Sequence, residues 1–205
     1  MTLLTAMEPL ARPYIKDCPR VLVHAEMLRA AREFCEKTHA WRESRYVGFG
    51  ANLNESTINA GEGNAFVATI SARKKGETTK FGYVTNPDDM SLATGVPSLW
   101  SSKTISKLMI SPVPIEQIIL QVEIALKPAL TGTEIPDEIA ETWGEGIADG
   151  AVYNLLMMED TEWYNPDRAS FHKNRFDNLI TDARIKKSTG FRSGGSTRAS
   201  GHKFI

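Results

Sequence analysis

The chain has 205 residues, of which 41% are hydrophobic and 24% charged, and its formal net charge is −1. This is enough sequence for one soluble domain with a substantial core, and the composition excludes collagen, coiled coils and wholesale disorder. No apolar run approaches the roughly 20 residues that a membrane-spanning helix requires, so no membrane contact is expected.

The amino-terminal residues contain no basic stretch and include an early acid, Glu8, so a secretion signal is not expected. Cys18 and Cys35 are expected to be free thiols in a reducing cytosol. Residues 21–43 predict an amphipathic helix, because apolar side chains recur there every three or four positions. Pro19 fits the first turn of this helix, where a missing N–H costs nothing.

From about residue 45 the hydrophobic period changes to two, which indicates β structure. Residues 65–73 and 78–84 predict the two strands of a hairpin, joined by an exposed tip at residues 74–77. A further strand is predicted from Thr104 to Ile110. Residues 117–127 alternate apolar and polar side chains and predict a strand with one buried face and one solvated face.

Two helices are predicted near the carboxyl end. The first covers residues 137–158 and contains Gly144, Gly146 and Gly150. Each glycine disfavours the helix by about 1 kcal/mol relative to alanine, so their density indicates a close helix contact, either within the chain or between subunits. The second helix begins with Asn165 as its cap and has a proline in its first turn.

The last 22 residues, 184–205, concentrate positive charge. They contain six basic side chains and no acidic one, so the rest of the chain has 18 of the 24 basic residues, all 25 acidic ones and a net charge of −7. Because it is rich in Gly and Ser, the segment is predicted to be disordered on its own. It is either a solubilising appendage or a segment that orders on a partner. Its basic and apolar side chains are Arg184, Lys186, Lys187, Phe191, Arg192, Arg198, Lys203, Phe204 and Ile205.

These elements predict an α+β fold. One amino-terminal helix and two carboxyl-terminal helices form a helical core over residues 1–44 and 132–187, because the first helix must pack against the last two to bury its apolar face. An antiparallel β domain, residues 45–131, is inserted into this core. Residues 188–205 form an extended basic tail.

No group of residues in the sequence has the spacing of a catalytic, cofactor or metal site. Cys35 and His39 stand four apart, but two ligands do not make a zinc site. The run from Gly48 begins like a dinucleotide-binding loop but has leucine where the third glycine belongs, so strand pairing is favoured. Acidic pairs such as Glu159 and Asp160 have no converging partner. We therefore expect an interaction or assembly protein and not an enzyme, with no cofactor.

The order of landmarks along the chain is similar to that of a known protein family. A helix with Phe34 and Trp41 is followed by the segments 95–100, 108–114 and 125–128, by Trp143, by the run 147–157 and by the sequence at 163–166. This order resembles the head-to-tail adaptor (connector) proteins of tailed bacteriophages, particularly those of short-tailed phages. The resemblance covers residues 10–187.

The resemblance implies a structural virion protein at the portal vertex, made in the host cytoplasm. Such proteins form a homo-oligomeric ring, commonly of about twelve subunits, which docks beneath the portal protein, extends the DNA channel and carries the tail tube or nozzle protein. It implies no catalytic residues and no cofactor. Genomic DNA is expected to pass without specific binding, because DNA is not held by an acidic channel wall. Whether the subunits assemble before they meet the portal stays open.

The family's use of an extended carboxyl-terminal segment implies that the basic segment binds the portal. Residues 188–205 are expected to insert between portal subunits, with basic side chains paired to acidic groups and apolar side chains in pockets. The exposed tip, Lys74, Lys75, Gly76 and Glu77, is predicted to contact a neighbouring subunit or the tail.

The main alternative is a nucleic-acid-binding module that binds phosphates with the basic tail, with an affinity that falls steeply with salt. The acidic body of the chain disfavours this function. An enzyme such as a cell-wall hydrolase, with Glu159 and Asp160 as its carboxylates, is a weaker alternative.

Overall fold

The structure, a computed structural model, describes residues 1–189 and contains four α-helices and eleven strands in that range. The helices are α1 (Glu8–Ala11), α2 (Arg20–Thr38), α3 (Asp137–Leu156) and α4 (Pro166–Thr189). The strands are β1 (Thr2–Leu3), β2 (Arg42–Phe49), β3 (Glu55–Thr57), β4 (Asn64–Lys74), β5 (Gly82–Tyr83), β6 (Thr94–Gly95), β7 (Leu99–Thr104), β8 (Lys107–Ser111), β9 (Val113–Pro114), β10 (Ile118–Pro128) and β11 (Glu134–Ile135). The predicted α+β class is confirmed.

The strand β10 is the centre of a three-stranded antiparallel sheet with the order β2-β10-β4. Its side chains alternate between two faces. Leu120, Val122 and Ile124 are fully buried, whereas Gln121 and Glu123 lie on the opposite surface and are partly exposed. The predicted half-buried strand is therefore confirmed, with each of its bounds one residue later than expected.

The strand β4 does not form the predicted hairpin with residues 78–84. It pairs along its length with β10, and across the predicted tip only a single bridge joins Arg73 to Lys80. The chain then departs, and β5 pairs in parallel with β7, where the rings of Tyr83 and Trp100 lie 4.7 Å apart. The hairpin prediction is wrong beyond this bridge because residues 82–83 turn away from the free edge of β4 and pair with β7 instead.

The second sheet has the order β3-β8-β7-β5, and two short pairs, β6-β9 and β1-β11, complete the β structure. The strand predicted from Thr104 to Ile110 is wrong at its start, because residues 105–106 form the turn between β7 and β8. The hydroxyl of Thr104 accepts a hydrogen bond from the Lys107 N–H at 3.2 Å, which holds this turn. The β-branched residues Thr104 and Ile105 were therefore not sufficient to distinguish a strand from a turn.

The helix α2 ends at Thr38, well before the predicted end at residue 43. The Thr38 hydroxyl donates to the Phe34 carbonyl at 2.7 Å, and His39 adopts a left-handed conformation with φ of 52°, a common way to end a helix. The prediction is wrong at this end because the buried Trp41 fits the apolar pattern of a helix as well as that of a strand.

The helix α2 lies between the sheet and the other long helices. It contacts both β10 and α3, and α3 packs along α4. A Cβ atom at Gly150 would lie 3.0 Å from the Phe176 ring and 3.1 Å from Ala30 Cβ, and one at Gly146 would overlap Leu179. Of the two alternatives for these glycines, a contact within the chain is therefore the one observed.

The helix α4 begins as predicted, because Asn165 Oδ1 accepts a hydrogen bond from the Arg168 N–H at 3.0 Å. It continues to Thr189. The prediction that residues 184–189 are disordered is therefore wrong. Six residues of the predicted binding segment lie outside the described residues: Phe191, Arg192, Arg198, Lys203, Phe204 and Ile205.

Candidate interaction site at the end of the last helix

The candidate site lies where the carboxyl ends of α2 and α4 meet. The last carbonyls of a helix have no partner inside that helix. Arg184 Nε donates to the Lys37 carbonyl at 2.9 Å, and Lys187 Nζ donates to the Thr38 carbonyl at 2.9 Å. Their positive charges also suit the negative end of the helix dipole. Two side chains predicted to bind a partner thus hold the end of α4 against α2.

Lys186 contacts the indole of Trp143, with its Nζ atom 4.6 Å from the ring centroid. Trp143 is only 6% exposed, and its ring lies 5.9 Å from that of Phe34. A cation over an aromatic face is attracted by the ring electrons. The basic residues of the segment that the structure describes therefore all have partners within the chain.

Arg184, Lys186 and Lys187 form a cluster of basic side chains at the end of α4. His39, at the end of α2, lies beside this cluster. Its N–H donates to the Cys35 carbonyl at 2.9 Å. Partial burial lowers the pKa of His39 below its ordinary value of 6.5, and the nearby charges of Lys187 and Arg42 lower it further. The ring is therefore neutral at pH 7, and no additional positive charge is added to the cluster.

The cluster continues onto the sheet through Arg42, at the start of β2. Arg42 Nη1 donates to Glu123 Oε1 at 2.9 Å, and the Ser71 hydroxyl donates to Glu123 Oε2 at 3.1 Å. Burial raises the pKa of Glu123, but the hydrogen bond and charge of Arg42 outweigh it and leave the pKa lowered. Burial also lowers the pKa of Lys187, and the charge of Arg42 adds to this effect.

A groove opens between the two helix ends and the amino-terminal part of α3. Its lining combines apolar and polar side chains: Ala40, Ile139, Trp143, Ala183, His39, Arg42, Glu138, Thr142 and Lys187. The described part of the chain ends two residues after Lys187. The groove therefore borders the start of the segment that was predicted to bind a partner.

The predicted contact tip, Lys74 to Glu77, is an exposed turn at the end of β4. The Glu77 N–H donates to the Lys74 carbonyl at 3.0 Å, and the two side chains form an ion pair at 3.1 Å. Gly76 has φ of +85°, a conformation that glycine adopts without strain. Lys75 Nζ lies 5.2 Å from the ring centroid of Tyr46 on β2.

The open face of the sheet connects this tip with the cluster at the end of α4. Arg42 belongs to the cluster and Tyr46 contacts the tip; they lie four residues apart on β2, about 13 Å at the rise of an extended strand. Between them, Gln121 Nε2 donates to the Ser44 hydroxyl at 3.0 Å. The two predicted contact regions thus lie at the two ends of one polar surface.

The sequence analysis missed a buried polar contact between α3 and α4. His172, 2% exposed, lies with its Nδ1 atom 2.7 Å from Asp149 Oδ1, and Arg175 Nε lies 3.1 Å from Asp149 Oδ2. The ring of Tyr14 meets the His172 ring edge-on at 4.6 Å. Asp149 interrupts an apolar helix stripe in the sequence, and a buried polar group in such a stripe needs a partner. That signal could have identified the contact.

The residues considered for catalysis or metal binding lie in two separate parts of the fold, Cys35 and His39 at the end of α2 and Glu159 and Asp160 after α3. Burial raises the pKa of the Cys35 thiol to about 12, and Glu159 and Asp160 are exposed in the turn after α3. Within residues 1–189, His, Cys, Asp and Glu side chains form no group of three that could hold a metal ion. None of the helices described there has both the length and the apolar character needed to cross a membrane.

Comparison with known proteins adds no assignment. The sequence matches no protein-family model, and no curated protein is significantly similar to it.

Proposed function

We propose that this chain is a head-to-tail adaptor of a tailed bacteriophage, a virion protein that forms a ring between the portal protein and the tail tube or nozzle protein. The ring extends the channel for genomic DNA, and the basic carboxyl-terminal segment binds the portal. The observation that carries this proposal is the anchored end of α4, where Arg184 and Lys187 fix the helix to α2. The order of sequence landmarks over residues 10–187 supports the same function.

An anchored helix end suits a segment that binds a partner outside its own domain. Ordering such a segment on a partner costs conformational entropy. A fixed starting point restricts the volume that the segment explores and raises its effective concentration near a partner docked beside it. Residues 190–205 add Arg192, Arg198 and Lys203 for acidic groups, together with apolar side chains for pockets.

The test is co-sedimentation of the full chain with the portal ring of the same phage. The comparison variant carries Arg192→Glu, Arg198→Glu and Lys203→Glu, three positions that lie outside residues 1–189. We expect the wild-type chain to sediment with the portal and the triple variant to lose most of this binding. Equal binding of both chains, or no binding of the wild type, contradicts the proposed function.

A matched control separates the position of the charges from their number. Lys16, Lys103 and Lys107 are exposed and lie outside the basic segment. Reversal of these three lysines to Glu changes the net charge by the same amount as the triple variant. The control should bind the portal like the wild type, and its loss of binding would assign the effect to net charge alone.

DNA retardation of the same chains tests the nucleic-acid alternative. A tail that binds phosphates directly gives the wild type an affinity for DNA that falls steeply with salt, and the triple variant loses it. DNA binding without portal binding would replace the adaptor function by that of a nucleic-acid-binding module.

A further inference from the structure

Two surfaces of the chain carry charges that have no ionic partner within the described residues. The first, the basic face, is the exposed side of the sheet β2-β10-β4 around Arg73, Lys75 and Lys80. The second, the acidic groove, runs between α3 and α4 and is bordered by Glu141, Glu145 and Asp182. The two surfaces have opposite sign.

Two cations of the basic face contact neutral groups, and the third, Lys80, is exposed and lies near enough to Glu123 to help lower the pKa of that carboxylate. Arg73 Nε donates to the amide oxygen of Gln121 at 3.2 Å, and Lys75 lies over the neutral ring of Tyr46. Lys80 is exposed at the edge of the face. In residues 1–189 none of these three basic side chains forms an ion pair.

The exposed carboxylates of the acidic groove also have no cationic partner within the described residues. Glu141 and Glu145 are exposed and four residues apart on α3, where like charges repel each other, and Asp182 faces them from α4. The cation that lines the groove, Arg175, is bound to the buried Asp149 at 3.1 Å. The three exposed carboxylates form no ion pair in the part of the chain that the structure describes.

The two surfaces belong to different outer layers of the molecule. The sheet contacts α2 through β10, and α2 contacts α3, which packs along α4. Because α2 lies between them, the basic face and the acidic groove do not meet within one chain. The acidic groove of a second copy of the same chain can meet the basic face of the first copy. The basic face of the second copy can likewise meet an acidic groove.

We propose that the basic face of one copy binds the acidic groove of the next copy, head to tail. A contact between two different surfaces is heterologous, and its repetition closes into a ring when the rotation allows. This inference rests on the proposed adaptor function for the ring, and it identifies the contact from which the ring is built. Complementary charge of this kind speeds association and suppresses wrong partners. Lys75 of the predicted contact tip belongs to the interface.

A nucleic-acid backbone fits the basic face less well than a second copy does, because Glu123 lies within this face and is paired with Arg42. A nucleic acid carries a regular row of phosphates, some of which would lie against Glu123. The three carboxylates of the acidic groove are separate side chains, which can pair with the cations around Glu123. The chain therefore carries both halves of the contact.

Reversal of one surface at a time tests the contact. The basic-face variant is Arg73→Glu with Lys80→Glu, and the acidic-groove variant is Glu141→Lys with Glu145→Lys. The mass of each full chain is measured by light scattering at 0.1 M and 1 M salt, where the Debye length is about 10 Å and about 3 Å. We expect the wild type to associate at low salt and dissociate at high salt, and each variant alone to remain monomeric.

The decisive sample is an equimolar mixture of the two variants. One variant then carries two acidic surfaces and the other two basic ones, so mixing restores the contact and the mass rises to that of the wild type. The control Lys16→Glu with Lys107→Glu has the same net charge as the basic-face variant and should associate like the wild type. Circular dichroism establishes that each variant is folded.

Three results overturn the inference: a wild-type chain that stays monomeric at low salt, a variant that assembles alone, or a mixture of folded variants that stays monomeric. Its failure is distinct from failure of the proposed function. Association that follows the charge reversals without portal binding contradicts only the adaptor function. Portal binding with association unaffected by the reversals contradicts only this contact.

Discussion

The end of α4 and the tip at Lys74 to Glu77 are both basic and were both predicted as contact sites, but the chain uses their cations differently. At the end of α4, Lys187 donates to a backbone carbonyl that the helix α2 leaves unpaired. At the tip, Lys75 lies over the exposed ring of Tyr46 and stays in water. Lys187 is therefore part of the structure of the helix end, whereas Lys75 is available to a partner.

The largest expected effect is at the aromatic residues beneath the two cations. Trp143→Ala removes a buried ring that supports both Lys186 and Phe34, and it should lower the free energy of unfolding by about 3–5 kcal/mol. Tyr46 is 64% exposed, so Tyr46→Ala should cost less than about 1 kcal/mol. Urea denaturation followed by fluorescence measures both. Similar losses for the two variants would remove the distinction between the regions.

The next effect concerns the cations themselves. Lys187→Met keeps the length of the side chain but leaves the Thr38 carbonyl without its donor, and should lower the free energy of unfolding by about 1–2 kcal/mol. Lys75→Met should change it by no more than about 0.5 kcal/mol. Thermal unfolding of the two variants side by side decides this, and an unchanged Lys187→Met variant would show that the carbonyl contact contributes nothing.

The turn at the tip has its own sensitive position. Gly76 has φ of +85°, and no neighbouring atom lies within 4 Å of the place that a Cβ would occupy, so Gly76→Ala adds backbone strain without a clash. We expect a loss of about 1 kcal/mol in the free energy of unfolding and no change in hydrogen exchange at the end of α4. A change there would mean that the two regions are coupled.

The smallest effect is a dependence on pH. Burial, with the charges of Lys187 and Arg42, lowers the pKa of His39 in the folded chain, whereas Glu36 opposes the shift. The unfolded chain therefore binds a proton more readily, and the free energy of unfolding should decrease as pH falls below about 6.5.

His39→Asn isolates this contribution, because asparagine tolerates the left-handed conformation at a helix end and does not titrate there. The variant should lose stability less steeply than the wild type between pH 7 and pH 5, as measured by urea denaturation across that interval. Equal slopes for the two chains would mean that protonation of His39 does not act on the α2–α4 contact.

Elements with a local signal were predictable from the sequence, and elements that depend on distant partners were not. The alternation in β10 and the Asn165 cap of α4 follow from neighbouring residues, and both are confirmed. The hairpin at β4 is wrong because residues 82–83 pair with β7, a strand that lies later in the chain and has no local signal linking it to them. The end of α2 was missed because Trp41 suits two periods equally.

The candidate site shows the same limit. Its cations were predicted from composition as a binding segment, and that function remains a prediction. The contacts of Arg184 and Lys187 with the end of α2 join residues about 150 positions apart, and no sequence pattern links them. The sequence showed that the body of the chain is acidic. It did not show that basic and acidic side chains gather on two separate surfaces of the fold.

The central position of β10 also determines when the sheet can form during synthesis. The strands β2 and β4 both pair with β10 and not with each other, and both precede it in the chain. At about 5–20 residues per second, the ribosome completes β2 several seconds before β10. During that interval the edges of β2 and β4 and the apolar side chains Val47 and Phe49 lack their final partners, so this nascent chain is exposed to aggregation until residue 128 has emerged.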